Sequence, residues 1–114
     1  MIAVIFEVEV KPEYLNSYLD VAATLKAELE QIDGFISVER FQSLTHEGKL
    51  LSLSFFRDEE AVREWRNLPS HRDAQKKGRH TYFKDYRLRV TEVLRDYGMS
   101  ERNETPEDSV KQNG

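Results

Sequence analysis

The chain has 114 residues, a formal net charge of −4 and no cysteine. That length holds one domain with one modest core, and the missing thiols exclude disulfides, thiolate nucleophiles and Cys-ligated zinc or iron–sulfur centres. Bases interleaved with acids, as in Arg57-Asp58-Glu59-Glu60, read as a solvated exterior and exclude the unopposed basic surface of a nucleic-acid binder.

Met1 leads straight into Ile2–Val10, without a basic segment or cleavage site, so a secretory signal is not expected and a cytoplasmic location is the default. No apolar run approaches the roughly 20 residues of a membrane helix. Ile2–Val10 predicts a first strand, with Ile2, Val4, Phe6, Val8 and Val10 on one face. Its first half is also apolar on the other face, at Ala3 and Ile5. Lys11-Pro12 ends the strand, and Pro12 suits the first turn of a helix. Leu15, Tyr18, Leu19, Ala22, Leu25, Leu29 and Ile32 recur at helical spacing, predicting a helix to about Ile32. Asp33-Gly34 stops it.

Phe35–Leu44 and Lys49–Phe56 read as a hairpin joined by Thr45-His46-Glu47-Gly48. Asp58 is a plausible N-cap for a short helix bearing Ala61, Val62 and Trp65. Asn67-Leu68-Pro69 breaks that helix, and Ser70-His71-Arg72-Asp73 resembles a capping box opening another to about His80. Phe83–Tyr97 predicts a long last strand bent near Thr91. Beyond Gly98 the composition turns polar, so residues 1–98 are expected to form the domain and residues 99–114 a disordered tail. The order β-α-β-β-α-β is the ferredoxin-like α+β arrangement, a four-stranded antiparallel sheet with both helices on one face.

The other sheet face is then bare, yet both faces carry apolar residues: Ala3 and Ile5 lie opposite Val4 and Phe6, Phe35 and Phe41 opposite Ile36 and Val38, and Leu50 and Phe56 opposite Leu51, Leu53 and Phe55. A contiguous apolar patch of this kind predicts a homodimer packed sheet to sheet.

Trp65, the only tryptophan, and His71, six residues on, carry the chemical interest. Ala74, Gln75 and Gly78 share the helix face of His71, and the small residues leave room for a cleft above the sheet. An aromatic plate beside an imidazole suits a flat aromatic ligand; the bland reading makes Trp65 core and His71 a helix-start residue. Arg87 and Arg89 alternate with Tyr86 on the last strand. They suit either an anionic ligand or cross-strand ion pairs with Glu7 and Glu9, with Glu39 a further partner across a dimer. His46, His71 and His80 lack metal-ligand spacing, and no phosphate loop or dinucleotide fingerprint occurs, so neither a metal nor a nucleotide or flavin cofactor has support.

Gly34-Phe35-Ile36-Ser37-Val38-Glu39-Arg40-Phe41, Leu53-Ser54-Phe55-Phe56-Arg57-Asp58-Glu59-Glu60-Ala61-Val62, and Trp65 with His71 closely resemble the antibiotic biosynthesis monooxygenase (ABM) domain. The resemblance spans roughly Ile2 to Tyr97. It implies a dimeric α+β barrel with a pocket between sheet and helices, and oxidation of phenols or quinols by molecular oxygen without flavin, haem or metal. Under that resemblance His71 is the candidate catalytic base, Trp65 stacks on the substrate, and Phe6, Phe83, Tyr86 and Arg87 are candidate substrate-binding residues. The polyketide-oxidising members carry a tyrosine at the place of His71 and an asparagine at that of Ala61. A haem-degrading branch uses a first-strand asparagine and a histidine ten residues past the tryptophan; here Met1–Lys11 has no asparagine and that position is Gln75. The alternatives are a haem-binding relative and a non-catalytic module that binds a small aromatic metabolite or serves assembly. A cavity of a few hundred Å3 beside Trp65 and His71 is expected of a small-molecule site, and filled space of the bland reading.

Overall fold

A computed structural model of the chain describes residues 1–113. It contains the expected α+β sheet: β1 (Ile2–Val10), β2 (Phe35–Gln42), β3 (Lys49–Phe56) and β4 (Phe83–Glu92), in the order β2-β3-β1-β4 with every pair antiparallel. A 3-10 turn at Pro12–Tyr14 leads into α1 (Leu15–Leu29), and α2 (Glu59–Arg66) and α3 (Pro69–Lys77) follow β3. Among the described residues, no helix is long and apolar enough to cross a membrane.

Register decides which face each side chain meets. Val4 pairs with Ser54 and Val90, and Phe6 with Ser52 and Leu88, so these residues share the helix-covered face. Ile2, Val4, Leu29, Phe56, Ala61 and Val62 form the buried core there, with Phe56 wholly inaccessible. Ala3, Ile5, Leu51, Leu53, Phe55 and Phe41 fall on the open face, paired across the strands. Phe35 does not join them. A register shift between Phe35 and Ser37 turns its ring inward, where it meets Phe56 edge-on at 5.8 Å.

Local chemistry explains the boundaries. Gly34 adopts φ +93°, and a Cβ there would approach the Ala61 Cβ to 2.9 Å, so the turn into β2 needs glycine on both counts. Asp58 caps α2 by accepting from the Ala61 N–H at 3.0 Å. The capping box at Ser70 is not formed. Pro69 already occupies the first turn of α3, and the Ser70 hydroxyl instead donates to the Glu28 carboxylate on α1, tying the two helices together. A π-helical turn, Gly78–Tyr82, replaces the expected end of α3 near His80.

The last strand ends at Glu92, short of the expected Tyr97. Ile2 opposes Glu92, and the Val93 N–H donates to the Met1 carbonyl in the last rung of the ladder. Likewise β2 stops at Gln42. The polar tail, expected to be disordered, carries a short helix, α4 (Glu107–Asn113), with Glu107 and Asp108 in its first turn and Lys111 in its last, the favourable sense for the helix dipole.

Candidate functional site

The helix-covered face is not filled evenly. Ser52 and Ser54 occupy the inward positions of central strand β3, and Ala22 on α1 and Ala74 on α3 face them across the gap. Four small side chains in one layer leave a void that larger neighbours do not reach. The result is a cavity of about 110 Å3, walled by Val4, Val38, Leu25 and Leu29 and by the rings of Phe6, Trp65 and Phe83. A dry cavity of ~150 Å3 elsewhere accepts benzene, so this one is of single-ring size. It is neither filled, as the bland reading required, nor the few hundred Å3 expected of a site for larger ligands.

Trp65 links core to cavity. Its ring lies 5.5 Å from Phe56 on one side and 4.2 Å from His71 on the other, tilted by 52° to the imidazole. His71 is 6 % exposed, and neither Nδ1 nor Nε2 has a hydrogen-bond partner among the described residues. Burial pushes its pKa down to about 4, so the ring is neutral at physiological pH. A buried imidazole with both nitrogens unpaired is costly unless something in the cavity completes it.

The other side chains singled out in the sequence divide between two faces. Phe6 and Phe83 line the cavity, 5.8 Å apart. Phe83 is held there by the π-helical turn: Gly78 is buried so close that a Cβ would sit 2.4 Å from its ring. Tyr86 packs on Phe6 and Phe83 at 5.8 and 6.0 Å but does not line the cavity. Arg87 requires correction as a substrate-binding residue. It pairs with Glu7 across the strands and so belongs to the open face, with the sheet between it and the cavity. Arg89, on the same face, reaches Glu7 at 3.3 Å, and Lys49 joins that carboxylate at 3.8 Å. Glu9 is bound instead by His46 at 2.8 Å. Ala61 lies in the core beneath Gly34, away from the cavity wall, and Gln75 lines it.

Sequence reasoning missed Arg40 and Tyr18, which also line the cavity. Arg40 sits two residues after Val38 on the inward face of β2; its Nε is buried without a partner, and its Nη2 makes only a long 3.5 Å contact to the Ala22 carbonyl. Burial pushes the Tyr18 phenol above its ordinary pKa, opposed in part by the Arg40 charge beside it. Ser52 and Ser54 were missed with them. The signal was the parity of β2 and β3, which places Arg40, Ser52 and Ser54 inward.

Comparison with known proteins gives the same assignment from several directions. The family profile described as Antibiotic biosynthesis monooxygenase matches residues 1–77. The chain is 47 % identical over 93 residues to the jasmonate monooxygenase ABM of Pyricularia oryzae, covering 82 % of this chain but 43 % of that protein, so it spans less than half the length of this relative. It is 30 % identical over 93 residues to the uncharacterized protein YqjZ of Bacillus subtilis, covering 82 % of this chain and 79 % of that one. The fold matches the structure of Rv0793 from Mycobacterium tuberculosis with a TM-score of 0.75 at 18 % identity, over 85 % of this chain and 98 % of that chain. With the two-layer fold and a cavity at Trp65 and His71 already in view, these likenesses make the chain a member of the antibiotic biosynthesis monooxygenase family.

Proposed function

We propose that the protein is a monooxygenase that admits a small single-ring molecule bearing an ionisable O–H and oxidises it with molecular oxygen, with no flavin, haem or metal taking part. The family supports the reaction type, and one observation carries the site: His71, buried and neutral with both ring nitrogens free, beside Trp65 on the wall of an apolar cavity. Trp65 stacks on the substrate ring. The neutral imidazole accepts the substrate's O–H hydrogen bond and, because its basicity is low, takes the proton only as electron density passes to oxygen. The apolar walls keep water from the intermediate. For a phenol with a free ring C–H, the balanced change is phenol plus O2 to quinone plus water, so the substrate supplies all the electrons.

Oxygen uptake and 18O incorporation, measured across single-ring phenols and quinols, test the reading. The relative's name adds jasmonate to the panel, assayed with and without a reductant because insertion at a C–H leaves two electrons to be supplied. His71→Ala is expected to lower turnover of any accepted substrate by about 10²- to 10⁴-fold; an unchanged rate ends the assignment of His71 as base. The small cavity volume favours a second reading, a binding module without turnover, whose mark is saturable binding with no oxygen uptake by the wild type.

We further propose that the protein works as a homodimer through its open sheet face. Leu51, Leu53, Phe55, Ala3 and Ile5 supply an apolar centre. The flanks are complementary: Glu39 lies on edge strand β2, and Arg87 and Arg89 lie on the opposite edge strand, β4. A two-fold axis along the strands sets the acidic edge of one copy against the basic edge of the other. Ile5→Asp is expected to give a 13.4 kDa monomer by light scattering; a variant that stays dimeric rules out this face.

A further inference from the structure

The cavity sorts charge against the composition of the chain. The protein has 21 acidic and 17 basic residues, yet the cavity is lined by Arg40 and Lys26 and by no aspartate or glutamate. Arg40 is the deeper of these two cations. It stands on the sheet floor between Val38 and the small side chains of β3, while Lys26 is on the exposed side of α1. No carboxylate among the described residues lies within 4 Å of either, although the protein pairs Arg57 with both Asp33 and Asp58, and Arg89 with Glu7.

A guanidinium cannot shed its proton to escape this setting. Its Nε is buried with no acceptor among the described residues, the contact from Nη2 to the Ala22 carbonyl is at the limit of a hydrogen bond, and the Tyr18 phenol oxygen is its one other partner. Leaving a half-buried cation with unused donors in an apolar chamber is costly, and the cost is relieved when an anion enters and accepts from it. The Tyr18 oxygen accepts from the guanidinium, which leaves its own O–H to donate to the same anion.

Resting on the reading of this cavity as the substrate site, we infer that the ligand is a small carboxylic acid: a ring held between Trp65 and Phe6, near His71, with its carboxylate bound by Arg40 and Tyr18. The two ends have separate tasks. His71 addresses the reacting end of the ring, whereas Arg40 selects for the acid and sets how far the ring enters. Neutral phenols of the same ring size lack the second contact and bind more weakly.

Paired probes separate this inference from the reaction. Jasmonate with methyl jasmonate, and 4-hydroxyphenylacetate with its methyl ester, are titrated into the protein by calorimetry while oxygen uptake is followed separately. In at least one pair the acid is expected to bind roughly 10- to 100-fold more tightly than the ester. Arg40→Met is expected to abolish that preference, weakening the acid far more than the ester, and Arg40→Lys to keep part of it. Tyr18→Phe is expected to weaken the acid by about 3- to 10-fold. Equal binding of acid and ester by the wild type, no binding of either pair, or an acid preference that survives Arg40→Met each overturns the inference; the first of these requires no variant to fold. Acid preference without oxygen uptake leaves the anion site standing and removes the oxygenase reading, and uptake without acid preference does the reverse.

Discussion

At one end of the helix-covered face, Phe56 lies under α2 among Ile2, Val4, Leu29, Ala61 and Val62, with no accessible surface. Two and four residues earlier on the same strand and the same face, Ser54 and Ser52 sit beneath α1 and α3 with a cavity above them. One sheet underlies both ends; the covering helices differ, and so does the size of the inward side chain on β3. The rings of Phe35, Phe56, Trp65 and His71 form a continuous series from the solid end to the hollow one, so the pocket inherits its rigidity from the core. Dense packing and open space are thereby assigned to neighbouring segments of one layer.

The largest effect expected from breaking this arrangement is at the solid end. Phe56→Ala removes a ring that contacts both Phe35 and Trp65, and it should lower unfolding free energy by about 3–5 kcal/mol in denaturant titrations. Trp65 should then lose its fixed environment in near-ultraviolet circular dichroism. A loss below about 1 kcal/mol would mean that the core does not support the pocket.

How much of this was legible in the sequence follows the same division. The solid end was readable because Ile2, Val4 and Val8 alternate and Leu25 and Leu29 recur at helical spacing, patterns that burial itself imposes. Trp65 and His71 stood out as the sole tryptophan with an imidazole six residues on, and the family resemblance supplied their expected roles. The hollow end was not readable in the same way. Ser52 and Ser54 share the parity of Leu50 and Phe56, but parity alone does not say which face the helices cover. Arg40 was not singled out, for want of the register that turns it inward with Val38, and Arg87 was a candidate for the pocket although its register with Glu7 puts it on the other face. Which face a residue meets is a property of strand pairing, and the β2 register shift shows how one irregularity reassigns a residue such as Phe35.

An intermediate effect is expected from pH, and it reports on the hollow end. His71 titrates near 4 when folded and near its ordinary 6.5 when unfolded. Between those values the unfolded chain binds more protons, so stability is fully present above pH 6.5 and is lost as pH falls toward 4. The loss is on the order of 2 kcal/mol, after allowance for solvent reaching the cavity mouth. His71→Gln should flatten this limb of a stability–pH profile. If the profile of the variant matches that of the wild type, the imidazole is not held neutral by burial, and the hollow end is wetter than its lining implies.

The smallest effect on stability should accompany the largest effect on binding. Ser52→Leu places a branched apolar side chain into space the cavity already provides, between Phe6 and Arg40 on the neighbouring strands. Little repacking is needed, so unfolding free energy should change by less than about 1 kcal/mol in either direction. The leucine nevertheless takes the volume a single ring would occupy, and calorimetric binding of any ligand the wild type accepts should disappear, with Ser52→Ala retaining it. The contrast with Phe56→Ala, four residues along the same strand, is the sharpest form of the comparison: there a void is created and stability falls, here a void is removed and function falls. Should Ser52→Leu bind ligand as the wild type does, the space above β3 is a packing gap, and the site must be sought elsewhere on the sheet.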